Sequence, residues 1–133
     1  MSSISNTVIT LPGGRRVDAQ IGRHLVHTDQ PVDNGGEDVA PSPFELFLAS
    51  IGTCAGIFVQ GFCAKRGIAY QEIRILERPE FDAQGELVGV DLQVQLPPGF
   101  PQKYRDALVK VVEQCSVKRA IVRQPTFHVH AEF

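Results

Sequence analysis

A long uncharged run in the middle of the chain constrains the fold more than any other feature. From Leu46 to Ala64 the sequence holds 19 residues without a charged side chain. Just before this run, Ser42 and Glu45 have the spacing of a helix capping box, and Pro43 suits the first helical position. Gly67 can end the helix. The pattern therefore predicts one helix of about 24 residues, roughly 36 Å long at 1.5 Å per residue.

A run of this length also satisfies the length criterion for a membrane span. Ser50, Thr53, Gln60 and several glycines dilute its apolar character, so the pattern favours a helix buried inside a soluble protein. The other predicted elements, one sheet and one clear amphipathic helix, offer too little apolar surface to cover such a helix on all sides. We therefore expect an obligate homodimer with this helix at its centre, and no membrane partner. Gly52 and Gly56 either let the second chain approach closely or pack against this chain's own sheet.

The other segments alternate between strand and helix patterns. Alternating apolar and polar residues predict strands at 8–11, 16–21, 23–28, 70–78 and 86–96. An apolar stripe predicts a second helix that ends at Cys115, and Ser116 is expected to cap a third. The last segment, "PTFHVHAEF", is expected to form a closing strand. The order β-β-β-α-β-β-α-α-β predicts the α+β class, with helices packed on one face of an antiparallel sheet.

The composition fits one soluble domain over residues 1–133. Of these residues 43% are hydrophobic, and the formal net charge is −2. The chain can thus bury a modest core, but it lacks the basic surplus of a nucleic-acid-binding protein. The start "MSSISNTVITL" has neither the basic region nor the apolar region of a signal peptide, so we expect a cytoplasmic protein.

The polar residues outside the cysteines do not indicate a metal or cofactor site. Histidines occur in pairs on two predicted strands, but no carboxylate or cysteine follows them at ligand spacing. The pairs are His24 with His27 and His128 with His130. No phosphate-binding loop is present. Glu77, Glu80 and Asp82 flank the turn of the second hairpin and are expected to be solvated. The sequence therefore predicts no metal and no cofactor.

Three cysteines in a cytoplasmic chain do not indicate a disulfide framework. Cys54 lies among apolar residues of the long helix, where a thiol is a small buried hydrophobe or, with a cation nearby, a nucleophile. Cys63 lies half a turn away around that helix, so we expect it to pack in the core. Cys115 precedes a helix whose first turn holds Lys118 and Arg119, which favours a thiolate there, with burial as the alternative. If the two apolar helix surfaces pack on each other, Cys54 and Cys115 form a dithiol.

Three segments together resemble the OsmC/Ohr family. "SPFELFLASIGTCAGIFV" is similar to the family's first cysteine segment, P-x-E-L-L-L-A-x-x-G-x-C. "EQCSVKRAI" is similar to its second, C-[PS]-V-x-R/K-[AT]-[LI]. "GRHLVHTDQPVDNGGEDVAPSP" is similar to the G-x-x-[FL]-x-x-D…G…D-x-G-P-S-P approach of the shorter OsmC-like subgroup. The resemblance spans about residues 22–133 and implies an intertwined α+β homodimer, whose active sites lie at the interface and use both chains.

The resemblance also implies thiol-dependent reduction of organic hydroperoxides. By position, Cys54 matches the peroxide-attacking cysteine and Cys115 matches the resolving cysteine. The Cys54 thiolate would attack the distal peroxide oxygen, release an alcohol and become a sulfenic acid. Cys115 would then form a disulfide with it, which a cellular dithiol would reduce.

One position departs from the family pattern. The well-characterised peroxidases carry a glutamate directly after the proline of the first segment, and it works with an arginine to hold the thiolate; here Phe44 occupies that position. Glu45 follows and is the candidate carboxylate. The arginine is expected from the N-terminal strands, with Arg23 favoured and Arg15 and Arg16 as alternatives. The departure keeps a second function open, a non-catalytic dimer that binds a small apolar ligand or senses oxidation.

Overall fold

The computed structural model describes residues 6–133, which form two compact units, 6–47 and 48–133. The cytoplasmic prediction depends on the N-terminal segment, and residues 1–5 of that segment lie outside the described residues. The elements are, in chain order, β1 (Thr7–Gly13), β2 (Arg16–Ile21), β3 (His24–Thr28), α1 (Pro43–Lys65), β4 (Arg74–Phe81), β5 (Leu87–Gln95), α2 (Arg105–Val112) and α3 (Ser116–Val122). Antiparallel sheets and one long helix confirm the α+β class, whereas the single domain over residues 1–133 stays a prediction.

The first unit is a three-stranded antiparallel sheet followed by an ordered loop. β2 pairs with β1 on one side and with β3 on the other, so the three strands predicted near the N-terminus are present and antiparallel. Asp29 organises the loop, since its buried carboxylate accepts hydrogen bonds from the N–H groups of Gln30, Glu37 and Val39. The hydrogen bond from Gln30 favours the charged form most, and the pKa of Asp29 lies below its usual value.

The second unit packs α1, from residue 48 onward, against the β4–β5 hairpin and α2. β4 and β5 pair in antiparallel fashion, and the backbone of Asp82 bonds with Gly85 and Glu86 at the predicted turn. The core residues come from α1, α2 and the segment between β5 and α2; they are Ala55, Val59, Phe62, Cys63, Phe100, Leu108 and Val112. Partly buried apolar side chains of both strands cover this core.

Local signals at both ends of α1 act as the sequence predicts. The Glu45 N–H donates to Ser42 Oγ at 3.2 Å, and the Ser42 N–H donates to Glu45 Oε1 at 2.9 Å. This reciprocal pair is the expected capping box. At the other end, Gly67 has a φ of 64°, in the left-handed region that glycine adopts readily. The Arg66 guanidinium also donates to the Phe62 carbonyl at 3.0 Å.

Among residues 6–133, α1 is the helix whose length and composition would allow it to cross a membrane, a test that core helices of soluble proteins also pass. One of its faces packs against the chain's own sheet. A Cβ atom at Gly56 would lie 3.9 Å from Ile75 Cδ1, and one at Gly52 would lie 2.6 Å from Glu77 Oε1. Of the two alternatives for Gly52 and Gly56, packing against β4 is therefore the one observed.

Glu77 is not solvated, which corrects the sequence prediction. Strand alternation places it on the face of β4 that also carries Ile75, and the missing side chain at Gly52 leaves room for its carboxyl group. Glu77 Oε2 is buried without a hydrogen-bond partner in the described structure. Burial raises the pKa of Glu77, although the Gly52 N–H partly favours the charged form.

Replacing Glu77 with glutamine should stabilise the protein by about 1 kcal/mol near pH 7, because it removes a poorly paired buried charge. The pKa of Glu77 is higher in the folded state than in the unfolded state, so the wild type loses stability as the pH rises between those two values. The gain should therefore disappear below the unfolded pKa. Denaturant unfolding at several pH values measures this, with Glu80→Gln on the exposed end of β4 as the control. A glutamine variant less stable than wild type at neutral pH would show that the charge is well paired.

The C-terminal region differs from the prediction in two ways. The second helix ends at Val112, and Cys115 instead of Ser116 is the N-cap of α3, because its sulfur accepts the Lys118 N–H at 3.4 Å. The predicted closing strand is wrong for the described chain, since residues 125–133 pair with no strand. Their apolar side chains are exposed; Phe127 is 86% accessible. An alternating sequence becomes a strand only beside a partner strand, and this segment has none here.

Candidate active site around Cys54

Cys54 and Cys115 lie together in the second unit although they are far apart in the sequence. Cys54 lies on α1, and Cys115 directly precedes the first helical residue of α3. The Cys115 thiol lowers the pKa of Cys54 by hydrogen bonding, and Ser116 Oγ, one residue on, lies 3.6 Å from Cys54 Sγ. Both are free thiols; Cys54 is half-buried and Cys115 is fully buried. The meeting of the two helix surfaces, which the sequence left open, therefore occurs.

The start of α3 surrounds the Cys54 sulfur with hydrogen-bond donors. Ser116 Oγ lies 3.6 Å from Cys54 Sγ. The backbone N–H groups of Ser116 and Val117 also lower the pKa of Cys54, as donors to a thiolate do. Cys115 orders the same turn, because its own sulfur accepts the Lys118 N–H. Three consecutive residues thus offer Cys54 a hydroxyl, a thiol and two backbone N–H groups.

These donors determine the protonation of Cys54. Burial raises the pKa of the Cys54 thiol by disfavouring the charged form. Hydrogen bonds from the Val117 N–H, the Ser116 hydroxyl and the Cys115 thiol outweigh burial, so that the pKa lies below its ordinary value. A lower pKa increases the fraction of thiolate, which is the nucleophilic form. Cys54 therefore combines partial exposure with an environment that stabilises its anion.

Cys63 lies in a contrasting environment. It is fully buried in the core, and burial raises the pKa of its thiol, with only partial compensation from the Arg66 charge. A buried neutral thiol is a poor nucleophile. The prediction that Cys63 packs in the core is confirmed.

The other predicted site residues belong to the first unit. Arg23 lies in the exposed turn between β2 and β3, one residue before β3 begins. Arg15 occupies the turn between β1 and β2, and the charge of Arg16 helps to lower the pKa of Asp29. The Glu45 carboxylate accepts the Ser42 N–H of the capping box. The Phe44 ring, at the family's glutamate position, packs 5.6 Å from another phenylalanine ring. Catalytic roles for Arg23 and Glu45 stay predictions.

Sequence reasoning missed Ser116 and Val117 as partners of Cys54. It assigned the helix terminus and nearby cations to Cys115, because Cys115 is adjacent in sequence. The structure directs these N–H groups across to α1 instead. The signal was the serine that follows Cys115, since a hydroxyl at the first helical position can reach a group packed against the helix start.

Within residues 6–133, no cluster of three or more histidine, cysteine, aspartate or glutamate side chains could hold a metal ion. In the structure, one histidine of each pair contacts a nearby carboxylate. His27 Nδ1 lies 2.9 Å from Asp18 Oδ1 across the β2–β3 pair, and His130 Nε2 lies 3.7 Å from Glu132 Oε1. Both histidines and Glu132 are well exposed, whereas the Asp18 side chain is 14% exposed.

Comparison with known proteins shows the family to which the chain belongs. The family model for OsmC-like protein matches residues 35–130. A Psychrobacter arcticus 273-4 structure, a candidate osmotic stress induced and detoxification response protein, aligns with a TM-score of 0.76 at 19% identity over 90% of each chain. An organic hydroperoxide resistance protein OsmC from Legionella pneumophila aligns with a TM-score of 0.56 at 23% identity, over 90% of this chain and 91% of the other.

An organic hydroperoxide resistance protein from Elizabethkingia anophelis aligns with a TM-score of 0.57 at 19% identity, over 90% of each chain. The search of curated proteins gives no significant match. The structural alignments agree on the fold, and the family model covers most of the sequence, including both Cys54 and Cys115. The chain belongs to the OsmC-like protein family.

Proposed function

We propose that this protein is a thiol peroxidase that reduces organic hydroperoxides through a Cys54–Cys115 dithiol-disulfide cycle. The observation that carries the proposal is the packing of Cys54 against the start of α3, where Ser116 Oγ lies 3.6 Å from Cys54 Sγ and the adjacent Cys115 thiol lowers the pKa of Cys54. Two proteins of similar fold are named for organic hydroperoxide resistance, which supports the substrate class.

The first step is attack of the Cys54 thiolate on the distal peroxide oxygen. An S–O bond forms while the O–O bond breaks, so the sulfur is oxidised by two electrons. The departing alkoxide takes up a proton and leaves as an alcohol, and Cys54 becomes a sulfenic acid. The donors of the α3 turn stabilise the thiolate before attack.

The second step is disulfide formation. The Cys115 sulfur attacks the Cys54 sulfenic acid and releases water, and a cellular dithiol then restores both thiols by exchange. The hydrogen bond by which the Cys115 thiol lowers the pKa of Cys54 supports a step without large movement of α1 or α3. The partner molecules of the cycle are thus an organic hydroperoxide and a dithiol reductant.

The proposal is tested by thiol titration of the reduced protein before and after one equivalent of cumene hydroperoxide. Two thiols per chain should disappear, and the third should remain because Cys63 is buried in the core. Slow loss of all three thiols, or loss of none, would contradict the dithiol cycle.

The functional unit is proposed to be a cytoplasmic homodimer. Only 28% of the most apolar 18-residue window of α1 is buried within the chain, and Ile57 is 65% exposed. Apolar surface of this extent indicates an interface in a soluble protein. Light scattering at micromolar concentration should give twice the mass of one chain. A monomeric mass would contradict the dimer, and recovery in the membrane fraction would contradict the soluble assignment.

A cavity on α1 supports the second candidate function, a dimer that binds a small apolar ligand. The cavity has a volume of about 470 Å³ and is lined mostly by apolar side chains of α1 and of the segment leading into β4. Its lining residues are Thr53, Gly56, Ile57, Val59, Gln60, Tyr70, Ile73 and Ile75. This volume lies in the range of small-molecule sites. Binding of an apolar fluorescent probe, together with no peroxide turnover, would favour this function over the peroxidase.

A further inference from the structure

We infer that the hydroxyl of Ser116 holds the Cys54 thiolate and helps to activate it. The inference rests on the proposed function and names a side chain that stabilises the nucleophile. Ser116 Oγ is 3.6 Å from Cys54 Sγ, a hydrogen-bonding distance for sulfur. Besides this hydroxyl, the Cys115 thiol and the N–H groups of residues 116 and 117 lower the pKa of Cys54.

A hydroxyl in this place favours the charged form of the sulfur. Beside a neutral thiol, Ser116 can either donate or accept, and the hydrogen bond is weak. Beside a thiolate, it donates to a full charge, and hydrogen bonds to charged groups are about twice as strong. Ser116 therefore stabilises the reactive state of Cys54 more than the resting thiol.

The neighbouring hydroxyl of Thr53 provides an internal contrast. Although Thr53 adjoins Cys54 in the sequence, its Oγ1 donates to the Ala49 carbonyl at 2.9 Å and lies 3.3 Å from the Ser50 carbonyl oxygen. These bonds keep the hydroxyl on the backbone of α1. Proximity in sequence does not select the activating group, whereas the packing of α3 against α1 does.

The test is the rate of iodoacetamide alkylation at Cys54 in the reduced protein, measured by peptide mass spectrometry from pH 4 to pH 10. Below the pKa of Cys54, Ser116→Ala should react about tenfold more slowly than wild type, because one hydrogen bond to the anion is lost. Ser116→Thr keeps a hydroxyl and should react nearly as fast as wild type. Thr53→Val is the matched control and should match the wild-type profile.

A second variant keeps the test decisive if Ser116→Ala folds poorly. Proline suits the first helical position of α3, and Cys115 has the extended backbone (φ −60°, ψ 140°) that a following proline requires. Ser116→Pro removes the hydroxyl and the N–H together, so its alkylation at low pH should be slower than that of Ser116→Ala. Thermal unfolding reports stability separately.

The inference is overturned if Ser116→Ala follows the wild-type pH profile, or if Thr53→Val slows alkylation as much as Ser116→Ala does. Alkylation uses no peroxide, so this failure is distinct from failure of the peroxidase proposal. If Ser116→Ala turns over peroxide normally and its alkylation profile is unshifted, the role of Ser116 is refuted and the peroxidase proposal stands. If the wild type does not reduce peroxide but the alkylation profile of Ser116→Ala is shifted, the peroxidase proposal is refuted and the role of Ser116 stands.

Discussion

Replacing Cys54 with serine should lower the rate of cumene hydroperoxide consumption by about a thousandfold or more, as expected when a nucleophile is removed. A serine hydroxyl stays protonated at neutral pH, so the donors around position 54 have no anion to stabilise. The substitution changes one half-buried atom and should leave the fold intact. The measurement is hydroperoxide remaining against time, with dithiothreitol as the reductant.

Cys63→Ala is the control for the loss of a thiol. Because Cys63 lies in the core with a raised pKa, its removal should cost stability but leave peroxide consumption near the wild-type rate at a temperature where the variant is folded. Cys54→Ser activity above about a tenth of the wild-type rate would place the reactive sulfur elsewhere and contradict the proposed chemistry.

Replacing Cys115 with serine should separate the two steps of the cycle. The Cys54 thiolate can still attack peroxide, but no thiol remains beside it to form the disulfide. Without added reductant, we expect one equivalent of hydroperoxide per chain to be consumed, after which Cys54 remains a sulfenic acid. Dimedone should label that sulfenic acid in Cys115→Ser and should label little of the wild type.

The fold of the Cys115→Ser variant should be preserved for a specific reason. Cys115 is the N-cap of α3, and serine is a better N-cap residue than cysteine. Any loss of turnover is therefore chemical and not a consequence of a frayed helix, which circular dichroism can verify. Dimedone labelling equal to that of the wild type, with continued turnover at a wild-type rate, would show that Cys115 does not resolve the sulfenic acid.

The sequence predicts those parts of the fold that local chemistry determines. The start of α1 follows from Ser42 and Glu45 because a capping box involves only four consecutive residues. β2 has the predicted bounds because it lies between two tight turns and both of its neighbours are adjacent in sequence. The end of α1 likewise follows from a single residue, Gly67.

The features that could not be predicted depend on distant parts of the chain or on a partner. Cys115 was expected to be the last residue of the second helix because it continues that helix's apolar stripe, but its sulfur instead caps α3. Strand periodicity could have placed Glu77 beside Ile75, yet the space for its carboxyl group depends on Gly52 of a different element. The segment 125–133 carries a strand pattern without a strand beside it.

The candidate site likewise has a part that the sequence predicts and a part that depends on distant residues. Sequence spacing and family resemblance identified Cys54 and Cys115, because both lie within recognisable segments. The donors from Ser116 and Val117 depend on how α3 packs against α1, which involves residues about sixty positions apart. Such a contact leaves no local pattern, so the activating environment of Cys54 emerged only from the structure.

Disulfide mapping after oxidation tests the account most directly. The reduced protein is treated with one equivalent of cumene hydroperoxide, blocked with an alkylating agent and digested without reductant, and the peptides are identified by mass spectrometry. The proposed cycle predicts one linked pair that joins Cys54 to Cys115 of the same chain, with Cys63 alkylated as a free thiol. A bridge from Cys54 to Cys63, a bridge between chains, or free Cys54 beside oxidised Cys115 would contradict it.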